Sequence, residues 1–144
     1  MSREGFDAGN LYGLQVCLRD LEDMLVRHHE AKDDKAVRYA LIKTFELTYE
    51  MAVKTLRKYL MANSERTEEV AEFDFRDLIR LADQAGLLLT GWPEWNDFRK
   101  NRGRTVHTYG DQVALQITEQ LPRFAEEVRV LLTNLEKRVK QDHG

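Results

Sequence analysis

The stretch Arg99-Lys100-Asn101-Arg102-Gly103-Arg104-Thr105-Val106-His107-Thr108-Tyr109 is the densest polar cluster of the chain, with four cationic residues inside six positions and a histidine shortly after. A guanidinium can grip two phosphate oxygens at once, and an imidazole with an unperturbed pKa of about 6.5 exchanges protons near neutrality. With unpaired helix N–H groups added, these are the parts needed to cleave RNA without a metal. His107 would act as general base on a ribose 2′-OH or as general acid for the leaving 5′-oxygen, while Arg102 holds the charge that builds on phosphorus. One histidine fills both roles poorly, so a symmetric homodimer pairing two such sites across its axis makes better chemistry. Spacing alone leaves a plainer alternative open, a solvated basic turn whose histidine caps a helix.

Arg102 and His107 lie about 140° apart around a regular helix, so they converge only where the helix is interrupted. Gly103 and a capping box at Thr108-Tyr109-Gly110-Asp111, with Asp in place of the usual Glu, are expected to supply that interruption. The cap would turn the positive end of the following helix towards His107 and Tyr109. Arg99, Lys100, Asn101 and Arg104 are candidate supporting or RNA-binding residues. Glu46 and Glu50 are four apart on one helix face and are candidates to position the Arg102 guanidinium; the alternative is an acidic stripe that pairs with Lys43 or Lys54.

The elements that must hold these residues read as helices throughout. Leu11, Leu14, Leu18, Leu21 and Leu25 recur at helical spacing from Asn10 to about Glu30, and a second helix over about Asp34 to Met61 carries Leu41, Ile42, Phe45, Tyr49, Ala52, Leu56 and Leu60. Asn63 to Glu69 is polar and reads as a connection. A shorter helix over Phe73 to Ala82 would end at Gly86 in a left-handed cap, and another would begin near Gly91-Trp92-Pro93 with Trp92, Trp95 and Phe98 in the core. A last helical region is expected from about Tyr109, with a kink or break at Pro122 and a final helix to about Lys140. No period-two pattern appears, so the fold class is all-α, an antiparallel four- to five-helix bundle.

Composition limits the function classes. With 144 residues, 2 Pro and 8 Gly, the chain is read as a single domain over 1–144 without a long linker. No apolar run is long enough to span a membrane, and the first residues lack the apolar core of a secretion signal, so a cytoplasmic protein is expected. Cys17, the sole cysteine, can form no internal disulfide and no cysteine metal cluster, and is read as packing. No metal site and no cofactor are expected. A net charge of -3 gives no general attraction to nucleic acid, which leaves the local cluster at 99–104 as the RNA-binding surface. His28 and His29 could bind metal with Glu30, yet read more simply as cations at a helix C-terminus. Trp92 and Trp95 could stack bases, but core packing is the expectation.

Two segments carry a family resemblance. Phe45 to Leu60 looks like the second-helix signature of the nucleotidyltransferase substrate-binding proteins, a branch of the HEPN superfamily, and Trp95 to Tyr109 looks like that family's second signature. Within the latter, Arg102, His107 and Tyr109 match the R-x4-H-x-Y motif of HEPN toxins. The resemblance implies a dimeric helical bundle that acts as a ribonuclease toxin and is encoded with a minimal nucleotidyltransferase antitoxin. It implies Arg102 and His107 as catalytic residues and Tyr109 as the hydroxyl that receives AMP. The family often has Asn or Asp directly after the motif Arg; here Gly103 stands there, and Asn101 precedes the Arg instead. The older name of the family implies an alternative, a non-enzymatic substrate-binding or regulatory subunit of a nucleotidyltransferase. A plain helical dimerisation module is a third possibility.

Overall fold

The computed structural model describes residues 5–107 and 110–143, and for His107 and His143 the backbone alone. A 3₁₀ turn over Ala8–Leu11, capped by Asp7, leads into α1 (Tyr12–Glu30), whose Leu14, Leu18 and Leu21 form one buried stripe. Asp34 then starts α2 (Lys35–Ala62), its carboxylate accepting the Ala36 and Val37 N–H groups. The link between the two helices is short, which makes them antiparallel neighbours. They approach closely at Gly13, where an added Cβ would meet the Met51 thioether at 3.0 Å.

After α2 come α3 (Thr67–Ala71), α4 (Phe75–Gln84), α5 (Trp92–Arg104), α6 (Asp111–Glu119) and α7 (Leu121–His143). Asp74 caps α4 through the Asp77 N–H, and Gly86 turns the chain out of it at φ 75°, a conformation that favours glycine. The link to α5 is held from below by a polar stripe of α7. Glu127 is buried and accepts the Leu89 N–H at 2.8 Å and the Thr90 N–H at 3.1 Å, Asn134 donates to the Leu87 carbonyl at 2.9 Å, and Arg138 donates to the Ala85 carbonyl. These contacts set where α5 begins. Pro93 sits in its first turn, where the missing N–H costs nothing.

The core collects the apolar faces of α1, α2 and α4 to α7, with Val70 added from α3. At its centre Phe124 of α7 packs edge-to-face on Phe45 of α2 at 4.9 Å and on Phe98 of α5 at 5.2 Å. Trp95 is fully buried beside them. The chain is thus an all-α helical bundle, with no strand among the described residues. No helix among them is long and apolar enough to cross a membrane.

Four expectations are changed or sharpened. The connection predicted over Asn63 to Glu69 contains the start of α3, a single turn held by buried Val70 and by Arg57, whose guanidinium donates to the carbonyls of Val70 and Phe73. Gly103 does not interrupt α5; the helix runs through it to Arg104 and then tightens into a 3₁₀ turn over Thr105–His107. The capping box also fails in its acidic half. Gly110 is the N-cap of α6 and makes no side-chain cap, because the Asp111 carboxylate is drawn outward to Lys35 at 3.4 Å and Arg38 at 3.5 Å; Thr108 and Tyr109 lie outside the described residues. At Pro122 the expected break occurs, with α6 ending at Glu119 and α7 taking Pro122 into its first turn.

Candidate functional site

Arg102 lies near the C-terminal end of α5, on the side that faces α2. One guanidinium nitrogen donates to the Glu50 carboxylate at 2.7 Å, and the other donates to the Thr105 hydroxyl at 3.0 Å. Thr105 is buried and its hydroxyl donates a hydrogen bond to the Arg102 carbonyl at 2.7 Å, so that hydroxyl donates and accepts at once. The guanidinium is therefore oriented from two sides, yet a quarter of the side chain remains in solvent. Glu46 takes no part, being paired with Lys43 three residues earlier at 3.4 Å.

Asn101 is turned the other way. Its side chain is buried between α5 and α6 and donates to the Ile117 carbonyl at 3.1 Å, while its Oδ1 has no partner among the described residues. That placement ties the end of α5 to α6 and takes Asn101 out of the set that can touch RNA in this arrangement. Arg104 also reaches α6, donating to the Gln116 side chain. Arg99 is exposed, its guanidinium over the Phe75 ring at 5.8 Å from the centroid, and Lys100 is exposed. His107 ends the 3₁₀ turn two residues after Thr105; Tyr109 is outside the described residues, as is the His107 imidazole.

The departure from α-helical geometry that sequence reading placed at Gly103 falls instead after Arg104. It lets the Arg102 side chain close on Thr105, three residues ahead, and ends the α-helical rotation before His107. On the far side of the loop, Arg38 pins the first turn of α6. It is 5% exposed, donates to the Lys32 carbonyl at 2.9 Å and pairs with Asp111. Sequence reading missed both Arg38 and Thr105. The i,i+3 spacing of Thr105 from Arg102 was a usable signal; Arg38, distant in sequence from Asp111, offered none.

Tyr49 marks the other wall. Burial pushes its phenol up to about 12, while the nearby Arg99 and Arg102 charges pull in the opposite direction, so the ring stays a neutral hydrogen-bond donor beside two guanidiniums. Trp95 is core, as expected, and Trp92 is partly buried with Arg76 over its ring at 5.7 Å. His28 lies in the last turn of α1 with Arg27 and His29, as expected for a helix-end basic residue. Burial lowers its pKa, and Arg38, Lys32 and His29 lower it further, which disfavours its charged form. No group of three or more His, Cys, Asp or Glu among the described residues could hold a metal ion.

Comparison with known proteins places this geometry in context. The family described as nucleotidyltransferase substrate binding protein like matches residues 9–137. A probable ribonuclease HepT of Haemophilus influenzae is 30% identical over 101 residues, covering 70% of this chain and 68% of that protein. A solved Haemophilus influenzae structure, described as revealing the fold of a substrate binding domain of a nucleotidyltransferase, superposes with a TM-score of 0.79 at 25% identity, covering 85% of this chain and 96% of that one.

Proposed function

The chain belongs to the nucleotidyltransferase substrate-binding-protein-like family, and from that premise we propose that it is a ribonuclease toxin that cleaves RNA at Arg102 and His107. The observation that carries this is the guanidinium of Arg102, aimed by Glu50 and Thr105 yet open to solvent, on a helix that tightens into the 3₁₀ turn carrying His107. The ribonuclease name of the Haemophilus influenzae relative supports it. In the reaction the ribose 2′-oxygen bonds to phosphorus and the P–O5′ bond breaks, leaving a 2′,3′-cyclic phosphate and a 5′-hydroxyl. His107 takes the 2′-OH proton or gives one to the 5′-oxygen, and Arg102 stabilises the phosphorane charge. A homodimer would supply a second histidine for the complementary proton transfer.

Regulation is part of the same proposal. The family suggests a nucleotidyltransferase partner; as a minimal antitoxin it would transfer AMP from ATP to the Tyr109 hydroxyl with release of pyrophosphate. Bulk and negative charge two residues from His107 would then oppose an RNA phosphate by sterics and repulsion. The setting for such a pair is the cytoplasm. Incubation with the co-encoded nucleotidyltransferase and ATP should add mass in adenylyl steps, and Tyr109→Phe should abolish the addition. Replacing Arg102 or His107 by Ala should lower the cleavage rate by about a hundredfold or more.

The second reading is a non-enzymatic substrate-binding or regulatory subunit of a nucleotidyltransferase, favoured by the description of the similar Haemophilus structure. It predicts tight association with the transferase, intact RNA, and no effect of the Arg102 and His107 substitutions on any RNA.

A further inference from the structure

Beside Arg102 a groove of about 410 Å³ runs along the outer face of α2. Tyr49, Val53 and Met61 contribute apolar surface to it, and Lys54, Arg57 and Lys58 contribute charge. Glu50 lines it too and is the residue that grips Arg102 at 2.7 Å, so the groove opens directly onto the candidate site. From Tyr49 to Met61 the helix rises roughly 18 Å at about 1.5 Å per residue.

We propose that this groove is a track for single-stranded RNA, in which bases lie against Tyr49, Val53 and Met61 and phosphates meet Lys54 and Lys58. This rests on the ribonuclease reading above and names where its substrate lies. Charge decides the occupant. Lys54 and Lys58 are exposed and make no ion pair among the described residues, although the chain as a whole carries a net charge of -3. Arg99 and Arg102 extend the same positive field to the cleavage site, and Glu50 is the acidic residue lining the groove. A polyanion with flat apolar bases complements that combination, since a cationic groove with an aromatic wall is how single strands are held without sequence preference.

Arg57 donates to the carbonyls of Val70 and Phe73 and so belongs to the fold as well as to the groove; the test leaves it alone. Binding of a fluorescein-labelled single-stranded RNA is measured by anisotropy from 50 to 300 mM NaCl for the parent, for Lys54→Ala/Lys58→Ala, and for a control, Lys137→Ala/Lys140→Ala on α7. Cleavage of the same RNA is followed in parallel. Loss of two phosphate contacts from a single strand should flatten the slope of log K against log salt by about 1.4, so that the advantage of the parent over the variant shrinks about 12-fold between 50 and 300 mM NaCl. The control pair should leave both unchanged.

Equal affinity and slope for the parent and the Lys54/Lys58 variant would overturn the groove, and RNA cleavage by both would leave the ribonuclease reading standing. Parent binding that depends on Lys54 and Lys58 without cleavage would keep the groove and remove the ribonuclease. An RNA affinity that is unaffected while the variant loses its self-association or its hold on the nucleotidyltransferase would assign the groove to a protein partner and refute an RNA track.

Discussion

Glu50→Ala offers the sharpest test of how Arg102 is held. The carboxylate meets the guanidinium at 2.7 Å, the distance of a charge-assisted hydrogen bond, but 59% of the Glu50 side chain and 26% of the Arg102 side chain are in solvent. Water and salt screen such a pair, so its removal should cost about 0.2 to 1 kcal/mol of stability. For a chain of this size that is a fall in Tm of up to about 4 °C. Arg102 keeps its bond to Thr105 in the variant, so it stays near the site but loses one of its two constraints. At about 1.4 kcal/mol per factor of ten, loss of that constraint should lower kcat/KM for RNA by at most about fivefold, far less than removal of Arg102 itself. Thermal unfolding at 0.1 M and 1 M NaCl, with cleavage assays at both, checks the argument; the difference between parent and variant should shrink at high salt, where screening acts within about 3 Å. A stability loss above 3 kcal/mol, or one that persists at 1 M, would refute the screened-pair account. A rise in kcat/KM would show that Glu50 competes with phosphate for the guanidinium instead of aiming it.

Three further outcomes follow from the packing and the charges. Phe124→Ala empties the point where the Phe45 and Phe98 rings meet and should cost about 3 to 5 kcal/mol by denaturant unfolding, a loss below 1 kcal/mol contradicting its central place. Glu127→Ala strands the Leu89 and Thr90 N–H groups and should cost about 2 to 4 kcal/mol, with hydrogen exchange at those amides accelerated; slow exchange there would argue that other groups hold the link. His28 has a folded pKa below 6.5, so the unfolded chain binds the proton more readily: the stability it confers is complete above that value and is lost as pH falls through 6.5 towards the folded pKa. Tm measured from pH 8 to pH 5 should therefore decline more steeply for the parent than for His28→Gln, and identical slopes would remove His28 as a cause.

Most of the fold was legible because helical period and buried face coincide. Leu14, Leu18 and Leu21, or Phe124, Val128, Leu131 and Leu135, announce one stripe each, and all of them are buried. What escaped depends on contacts between distant segments. α3 has one buried residue, Val70, and exists because Arg57 of α2 gathers the carbonyls that follow it. Gly103 looked like a break, but Phe98, Asn101 and Thr105 on the same helical run are buried and keep the chain wound past it. Glu127 reads as a solvent-facing residue of an amphipathic helix until the Leu89 and Thr90 amides are seen above it. For the site, sequence spacing put Glu46 and Glu50 on one face; the choice between them lies in local pairing, since Lys43 occupies Glu46 and leaves Glu50 to Arg102. The lowered pKa of His28 was equally hidden, because burial and Arg38, ten residues further along the chain, act on it only once the α1–α2 hairpin has formed.

The most direct measurement of the central claim is mass spectrometry of RNA fragments after incubation with the purified protein in EDTA, beside Arg102→Ala and His107→Ala. The account predicts fragments ending in 2′,3′-cyclic phosphate from the parent and intact RNA from either variant. Intact RNA from the parent, or the same fragments from all three proteins, would contradict it.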